Sequence, residues 1–186
     1  ITNNAKIAES VYAADLDGDG DPDVLSASWG DNKIAWYKNN NGDGTFGGQR
    51  VITTEAKNAS MVLTSDLDGD GDLDVLSASY GDDKIAWYEN ENGQGDFGGQ
   101  RVITTDADGA RSVYASDLDG DGDLDVLSAS ESSNNVAWYE NTDGKGTFGA
   151  QQAITNGLST TLSVFAADVD GDGDMDVLSA SNSGDK

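Results

Sequence analysis

The 186-residue chain has no cysteine, no histidine and a single proline, Pro22. The missing cysteines exclude disulfides, thiol nucleophiles, iron-sulfur clusters and thiolate zinc sites. The missing histidines remove the commonest general base and the usual zinc or copper ligand. Basic residues are scarce as well: 10 Lys and Arg stand against 35 Asp and Glu, a formal net charge of −25. Nucleic acids and anionic membranes require a basic footprint, so neither is expected as a partner. No apolar run approaches the roughly 18 residues of a membrane-spanning helix, so membrane insertion is not expected. The sequence does not begin with a signal-peptide pattern, and any export signal is expected to have been removed or to lie outside this segment. What the chain does have is 24 glycines and 36% hydrophobic residues. That composition suits a strand-and-turn protein better than a helical bundle or a disordered tail.

An internal repeat organises everything else. DLDGDGDPD at Asp15 recurs as DLDGDGDLD at Asp66 and Asp117 and as DVDGDGDMD at Asp168, each time 51 residues on. Residues 15–65 and 66–116 align without a gap and are identical at 37 of 51 positions. The repeat units are 15–65, 66–116, 117–167 and an incomplete 168–186. Within the second unit and its lead-in, four short β-branched and aromatic runs are separated by turn signals. Strand a is expected at Met61 to Ser65, strand b at Asp74 to Ser79, strand c at Lys84 to Tyr88 and strand d at Arg101 to Thr105. Four strands in about 50 residues is the pattern of a propeller blade. The fold class is therefore all-β, with four-stranded antiparallel blades stacked through Val75, Leu76, Ile85 and Trp87. Trp36, Trp87 and Trp138 in strand c are expected to pack between blades.

The Asp-rich a-b turns carry the chemistry. Each places Asp at positions 1, 3, 5, 7 and 9 and Gly at 4 and 6. The sets are Asp15, Asp17, Asp19, Asp21 and Asp23; Asp66, Asp68, Asp70, Asp72 and Asp74; Asp117, Asp119, Asp121, Asp123 and Asp125; and Asp168, Asp170, Asp172, Asp174 and Asp176. Carboxylates so close repel one another unless a cation neutralises them. An all-oxygen, carboxylate-rich shell on a flexible loop suits Ca²⁺ better than Mg²⁺. Four Ca²⁺ sites are expected, with carboxylates at 1, 3, 5 and 9 and the backbone carbonyl at 7. An EF-hand would need Glu at position 12 and flanking helices, whereas position 12 is Ser26, Ser77, Ser128 or Ser179 and the flanks read as strands.

The VYAADLDGDGDPDVLSAS stretch, the Gly-x-Gly-x-Phe-Gly turn before strand d (Gly44 to Gly47, Gly95 to Gly98, Gly146 to Gly149) and the Trp-Tyr of strand c resemble the FG-GAP or VCBS repeat of integrin-α-type propellers. The resemblance covers the whole chain. It implies a propeller, commonly of seven blades, with Ca²⁺ in its a-b hairpins. Since 186/51 is about 3.6 units, a partial array is expected, with the remaining blades supplied by a longer chain or a second copy. Ile1 to Asn3 align with a strand d, and Lys186 aligns with the start of a strand c.

Similar propellers serve as adhesion domains, lectins and the body of some polysaccharide lyases. Repeated residues offer no single asymmetric catalytic constellation, so no enzyme is expected. The expected function is a Ca²⁺-stabilised binding or adhesion propeller for a glycan or protein ligand; a ligand-free scaffold or spacer, or a lyase body, are the alternatives. Trp29 and Tyr80, in the b-c turns on the face opposite the Asp loops, are the candidate ligand-binding residues. Weak Ca²⁺ sites would be empty at cytosolic concentrations, so the expected location is secreted or cell-surface.

Overall fold

The computed structural model describes residues 1–182. The first sheet comprises β1 (Ala8–Ala14), β2 (Asp23–Ser28), β3 (Lys33–Tyr37) and β4 (Arg50–Thr53). The second comprises β5 (Ala59–Ser65), β6 (Asp74–Ser79), β7 (Lys84–Tyr88) and β8 (Arg101–Thr104). The third comprises β9 (Ala110–Ser116), β10 (Asp125–Ser130), β11 (Asn135–Tyr139) and β12 (Gln152–Asn156), and a hairpin follows in β13 (Thr161–Ala167) and β14 (Asp176–Ser181). Each sheet is an antiparallel meander pairing its strands in chain order. The chain is thus all-β, built from repeated four-stranded blades that do not close into a ring. Strand a of the second unit begins two residues before Met61, at Ala59. Ile1 to Asn3 differ from expectation, lying in no strand. A strand there needs a neighbouring strand c to pair with, and none of the described residues supplies one. Lys186 lies outside the described residues.

Strand alternation determines how the blades stack. In β2, Leu25 and Ala27 point to one face while Val24 and Ser26 point to the other, as the two-residue period of a strand requires. Leu16, Leu25, Ile34 and Trp36 of the first blade pack against Val62, Val75 and Tyr88 of the second. Leu67, Leu76, Ile85 and Trp87 meet Val113, Val126 and Tyr139 of the third in the same way. Leu127 and Val136 then meet Val164 of the hairpin. This same pair of faces therefore meets three times, and each end of the array exposes one unmatched member. Val11 is 69% exposed, where Val62 and Val113 are 1% and 0%. Leu178 is 42% exposed, where Leu25, Leu76 and Leu127 are all 0%.

Strand a carries a bulge, with the register slipping at Ser60 in β5 and at Arg111 in β9. A bulge re-aims the side chain of its extra residue. Here it places the residue-111 side chain beside the b-c turns. On the opposite side of the second and third blades, a glycine of the c-d turn lies over the tryptophan of the preceding blade. A Cβ on Gly95, at φ +76°, would lie 2.3 Å from Trp36 Cζ2, and one on Gly146 would lie 2.2 Å from Trp87 Cζ2. Trp36 and Trp87 are 1% exposed, buried between blades as expected. Trp138 is half-buried and packs against the third cluster.

Gly44, at φ +81°, has nothing within 4 Å of its would-be Cβ, which makes it an internal control. Gly44→Ala should cost only the left-handed backbone strain, about 1 to 2 kcal/mol. Gly95→Ala adds an overpacked indole and should cost about 1 to 3 kcal/mol more. Urea denaturation of the two variants checks the difference, and equal losses would remove the proposed close approach.

Candidate metal centres

The four Asp-rich turns link β1 to β2, β5 to β6, β9 to β10 and β13 to β14. In the first two, the carboxylates at positions 1, 3 and 5 converge: Asp15, Asp17 and Asp19, then Asp66, Asp68 and Asp70. In the last two, positions 1, 3 and 9 converge: Asp117, Asp119 and Asp125, then Asp168, Asp170 and Asp176. One oxygen from each member lies within 4.8 Å of the others in every group. Each turn thus brings together three of the four carboxylates assigned from sequence, in two slightly different selections, and each cluster can hold a metal ion.

Backbone donors shape the turns. The position-1 carboxylate spans the loop: Asp66 accepts N–H bonds from Gly69 at 2.8 Å and Gly71 at 3.0 Å, and Asp117 does the same for Gly120 and Gly122. Position 9 anchors the turn to its blade. Asp74, 1% exposed, accepts from Leu67 N–H at 3.0 Å and Asn90 N–H at 2.9 Å. Asp23 and Asp125 repeat the arrangement. Position 7 stands apart, its side chain against the c-d turn. A Cβ on Gly42, Gly93 or Gly144 would lie within 2.5 Å of Asp21, Asp72 or Asp123. This leaves the position-7 side chain outside the converging groups.

The electrostatics favour a cation. Burial pushes the Asp74 carboxyl up to about 7, against the lowering effect of its two N–H donors, and the charges of Asp68 and Asp70 raise it further. Burial also raises Asp23 and Asp125. In the first turn, Oδ1 of Asp17 is buried without a hydrogen-bond partner, on a side chain only 6% exposed. A buried unsatisfied carboxylate oxygen is costly unless a cation takes it. The donor set is all oxygen and mostly anionic, so these residues fit a hard divalent ion.

Nothing in the linear pattern singled out Asn39, Asn90 and Asn141, each two residues beyond the end of its strand c. Their one signal is recurrence in all three complete units. Asn90 accepts Gly95 N–H through Oδ1 at 3.0 Å; its Nδ2 donates to Leu73 O at 3.3 Å and to Leu16 O of the preceding blade at 2.9 Å. Asn141 bonds Leu67 O of the preceding blade in the same way, also at 2.9 Å. One buried amide therefore ties two successive Asp turns together.

Trp29 and Tyr80 occupy the b-c turns as expected, though not as free aromatics. Both are half-buried, their rings 5.1 Å apart. The Arg111 guanidinium lies 5.2 Å from the Trp29 ring and 4.7 Å from that of Tyr80, and pairs with Glu131. The four side chains form a ladder across three blades.

Asn39 has no preceding blade to bond among the described residues, and its side-chain amide donates to Pro22 O at 3.2 Å. Asn141→Ala should therefore destabilise the protein by about 1 kcal/mol more than Asn39→Ala, the worth of one further buried hydrogen bond. Matched urea titrations would show it, and equal losses would mean that the inter-blade bond contributes nothing.

Three overlapping stretches, residues 15–77, 66–128 and 117–179, match the model of the FG-GAP-like repeat. No curated protein matches the chain. Among solved structures, the chain is similar in fold to the crystal structure of the Vibrio cholerae (V. cholerae) biofilm matrix protein Bap1, with a TM-score of 0.53 and 19% sequence identity. The likeness covers 94% of this chain and 28% of that one, so the chain spans less than a third of the matrix protein's length. With its repeats matched from residue 15 to residue 179, the chain belongs to the FG-GAP-like repeat family.

Proposed function

We propose that the chain is a Ca²⁺-stabilised, non-catalytic segment of an extracellular adhesion-type propeller. The observation that carries this reading is the fourfold recurrence of converging carboxylates on β-hairpin turns. Family membership and the fold of a biofilm matrix protein support it. Ca²⁺ is bound by the position 1, 3, 5 and 9 carboxylates together with the position-7 carbonyl. Extracellular Ca²⁺ modules have dissociation constants of roughly 10⁻⁴ to 10⁻³ M. At about 1 mM Ca²⁺ each site then contributes about 0.4 to 1.4 kcal/mol by linkage. Such sites fill outside the cell and stay empty in cytosol, which supports a working compartment at the surface or beyond it.

The ligand is a glycan or a protein. Its contact surface lies on the b-c end, where the Trp29, Tyr80 and Arg111 ladder offers flat aromatic edges beside polar groups. A second reading, a spacer without a ligand, is favoured by one observation: the ladder already satisfies itself, ring against ring and Arg111 against Glu131. The unmatched faces around Val11 and Leu178 are covered by further blades of the same repeat, from a longer chain or a second copy, because those two faces are the ones that meet inside the array.

Thermal melting with and without chelator tests the metal. Removal of Ca²⁺ should lower Tm by several degrees, since about 1 kcal/mol moves Tm by roughly 2 to 4 °C at this size; an unchanged melt would falsify the structural role of the ion. In Ca²⁺ buffer, binding to arrayed glycans or matrix proteins that is lost in Trp29→Ala favours adhesion, and silence favours the spacer. Sedimentation of the 186-residue chain as a stable monomer would sink the covering of its ends by a second copy.

A further inference from the structure

The four turns are nearly identical in sequence, yet the first is built differently. Directly after β3, Lys38 reaches back over the a-b turn of its own blade. Its Nζ lies 2.9 Å from Asp19 Oδ2 and closer still to Asp17 Oδ2. Asp17 and Asp19 are two of the three carboxylates that converge in that turn. The equivalent positions of the second and third units are Glu89 and Glu140. Glu89 turns instead to Arg101.

The loop backbone has changed with the lysine. In the other three turns, the position-5 N–H bonds the position-3 carboxylate, as in Asp70 N–H to Asp68 Oδ1 at 3.3 Å, Asp121 to Asp119 at 3.2 Å and Asp172 to Asp170 at 3.2 Å. In the first, the Asp19 N–H turns to Asp15 Oδ1 at 3.1 Å. Asp17 is thereby left to the ammonium through one oxygen, while its other oxygen is buried with no partner. A monovalent, strongly hydrated ammonium supplies one charge where a divalent ion would supply two, and it leaves one oxygen unsatisfied.

The geometry points to Lys38 as a built-in counter-cation that occupies the first turn and competes with Ca²⁺, so that this site fills only as the lysine is displaced. The inference rests on the Ca²⁺ reading of the turns. A site whose competent state is populated a tenth of the time binds about tenfold more weakly than its intrinsic affinity. The first turn is therefore a low-affinity site set by one residue outside the loop. Its ion-free form keeps an ammonium paired directly with two converging carboxylates, and no ion pair among the described residues does this for the second or third turn.

Equilibrium dialysis of radioactive Ca²⁺ against the full chain, compared with Lys38→Met and Lys38→Glu, tests this. Each substitution should add one site to the tighter class, by about tenfold in that site's dissociation constant. Lys38→Glu carries the side chain already present at positions 89 and 140, so it keeps the test alive if the Met variant folds poorly. The converse variant, Glu89→Lys, should remove one site from that class. Thermal melting supplies a readout independent of binding: in chelator, Lys38→Met should melt below the unsubstituted chain, having lost the internal counter-charge, and in millimolar Ca²⁺ the deficit should vanish. Ca²⁺ binding by the unsubstituted chain with no change in any Lys38 variant overturns the role of the lysine and leaves the Ca²⁺ reading standing. No binding by any of the proteins at millimolar Ca²⁺ overturns both.

Discussion

Mutual repulsion of carboxylates within a nine-residue turn is the constraint on which this architecture depends. Two unit charges about 5 Å apart repel by roughly 3 kcal/mol at an effective dielectric near 20, and each turn holds three carboxylates within 4.8 Å of one another. Glycine N–H groups pointed at the position-1 carboxylate offset part of this, and the N–H groups received by the buried position-9 carboxylate offset more. Those donors are dipoles, however, and they cancel no net charge. Four turns hold 20 of the 35 acidic residues on one end of the blades, a field that dipoles leave largely intact beyond the first shell. A bound divalent ion removes two charges where they are densest. The turns and the stacking are linked because Asn90 holds the second turn to the first and Asn141 holds the third to the second.

The other end of the blades solves a different problem. Lys33 pairs with Asp31 at 2.9 Å and donates to Asn4 O, while Lys84 pairs with Asp82 at 2.9 Å and donates to Glu55 O. Arg111 pairs with Glu131. Here positive groups are spent on closing the b-c and d-a connections over one another. The two ends therefore differ in degree: outside the first turn no ion pair among the described residues touches the clustered carboxylates, whereas the b-c end pairs Asp31, Asp82 and Glu131 with Lys33, Lys84 and Arg111.

Much of the fold was legible because its signals are local. Apolar alternation places β6 at Asp74–Ser79 and β7 at Lys84–Tyr88, and the spacing of Asp and Gly marks the turns without reference to any other blade. What was not legible depends on register between blades. The reach of Asn90 to Leu16 spans 74 residues, and no periodicity within a unit encodes it. The stacking of Trp29 on Tyr80 needs two b-c turns side by side, and the reach of Arg111 to both needs a bulge whose place follows from strand pairing. Lys38 was hidden for the opposite reason. Its change to Glu89 and Glu140 looks like ordinary variation at a solvated position until the strand brings its ammonium onto the carboxylates.

Near-identity of the units turns each departure into a measurement, since a common backbone holds everything else constant. At the turn into strand a, the four copies place Ile7, Asn58, Gly109 and Thr160 at positive φ, 51°, 51°, 67° and 55°. Glycine occupies that conformation freely and asparagine tolerates it, but a β-branched side chain is strained there. The backbone keeps the same bend in every copy, so the bend is imposed by the blade and not by the residue. Hydrogen bonds across the connections impose it: Trp29 N–H to Ile7 O at 2.9 Å, and Tyr80 N–H to Asn58 O at 3.1 Å. A strained isoleucine held by the same bond as a tolerated asparagine shows that closure between strands b and a outweighs local preference. Arg111 and Lys38 mark two positions where a change between units, made with that closure and the Asp turns left in place, has added an interaction.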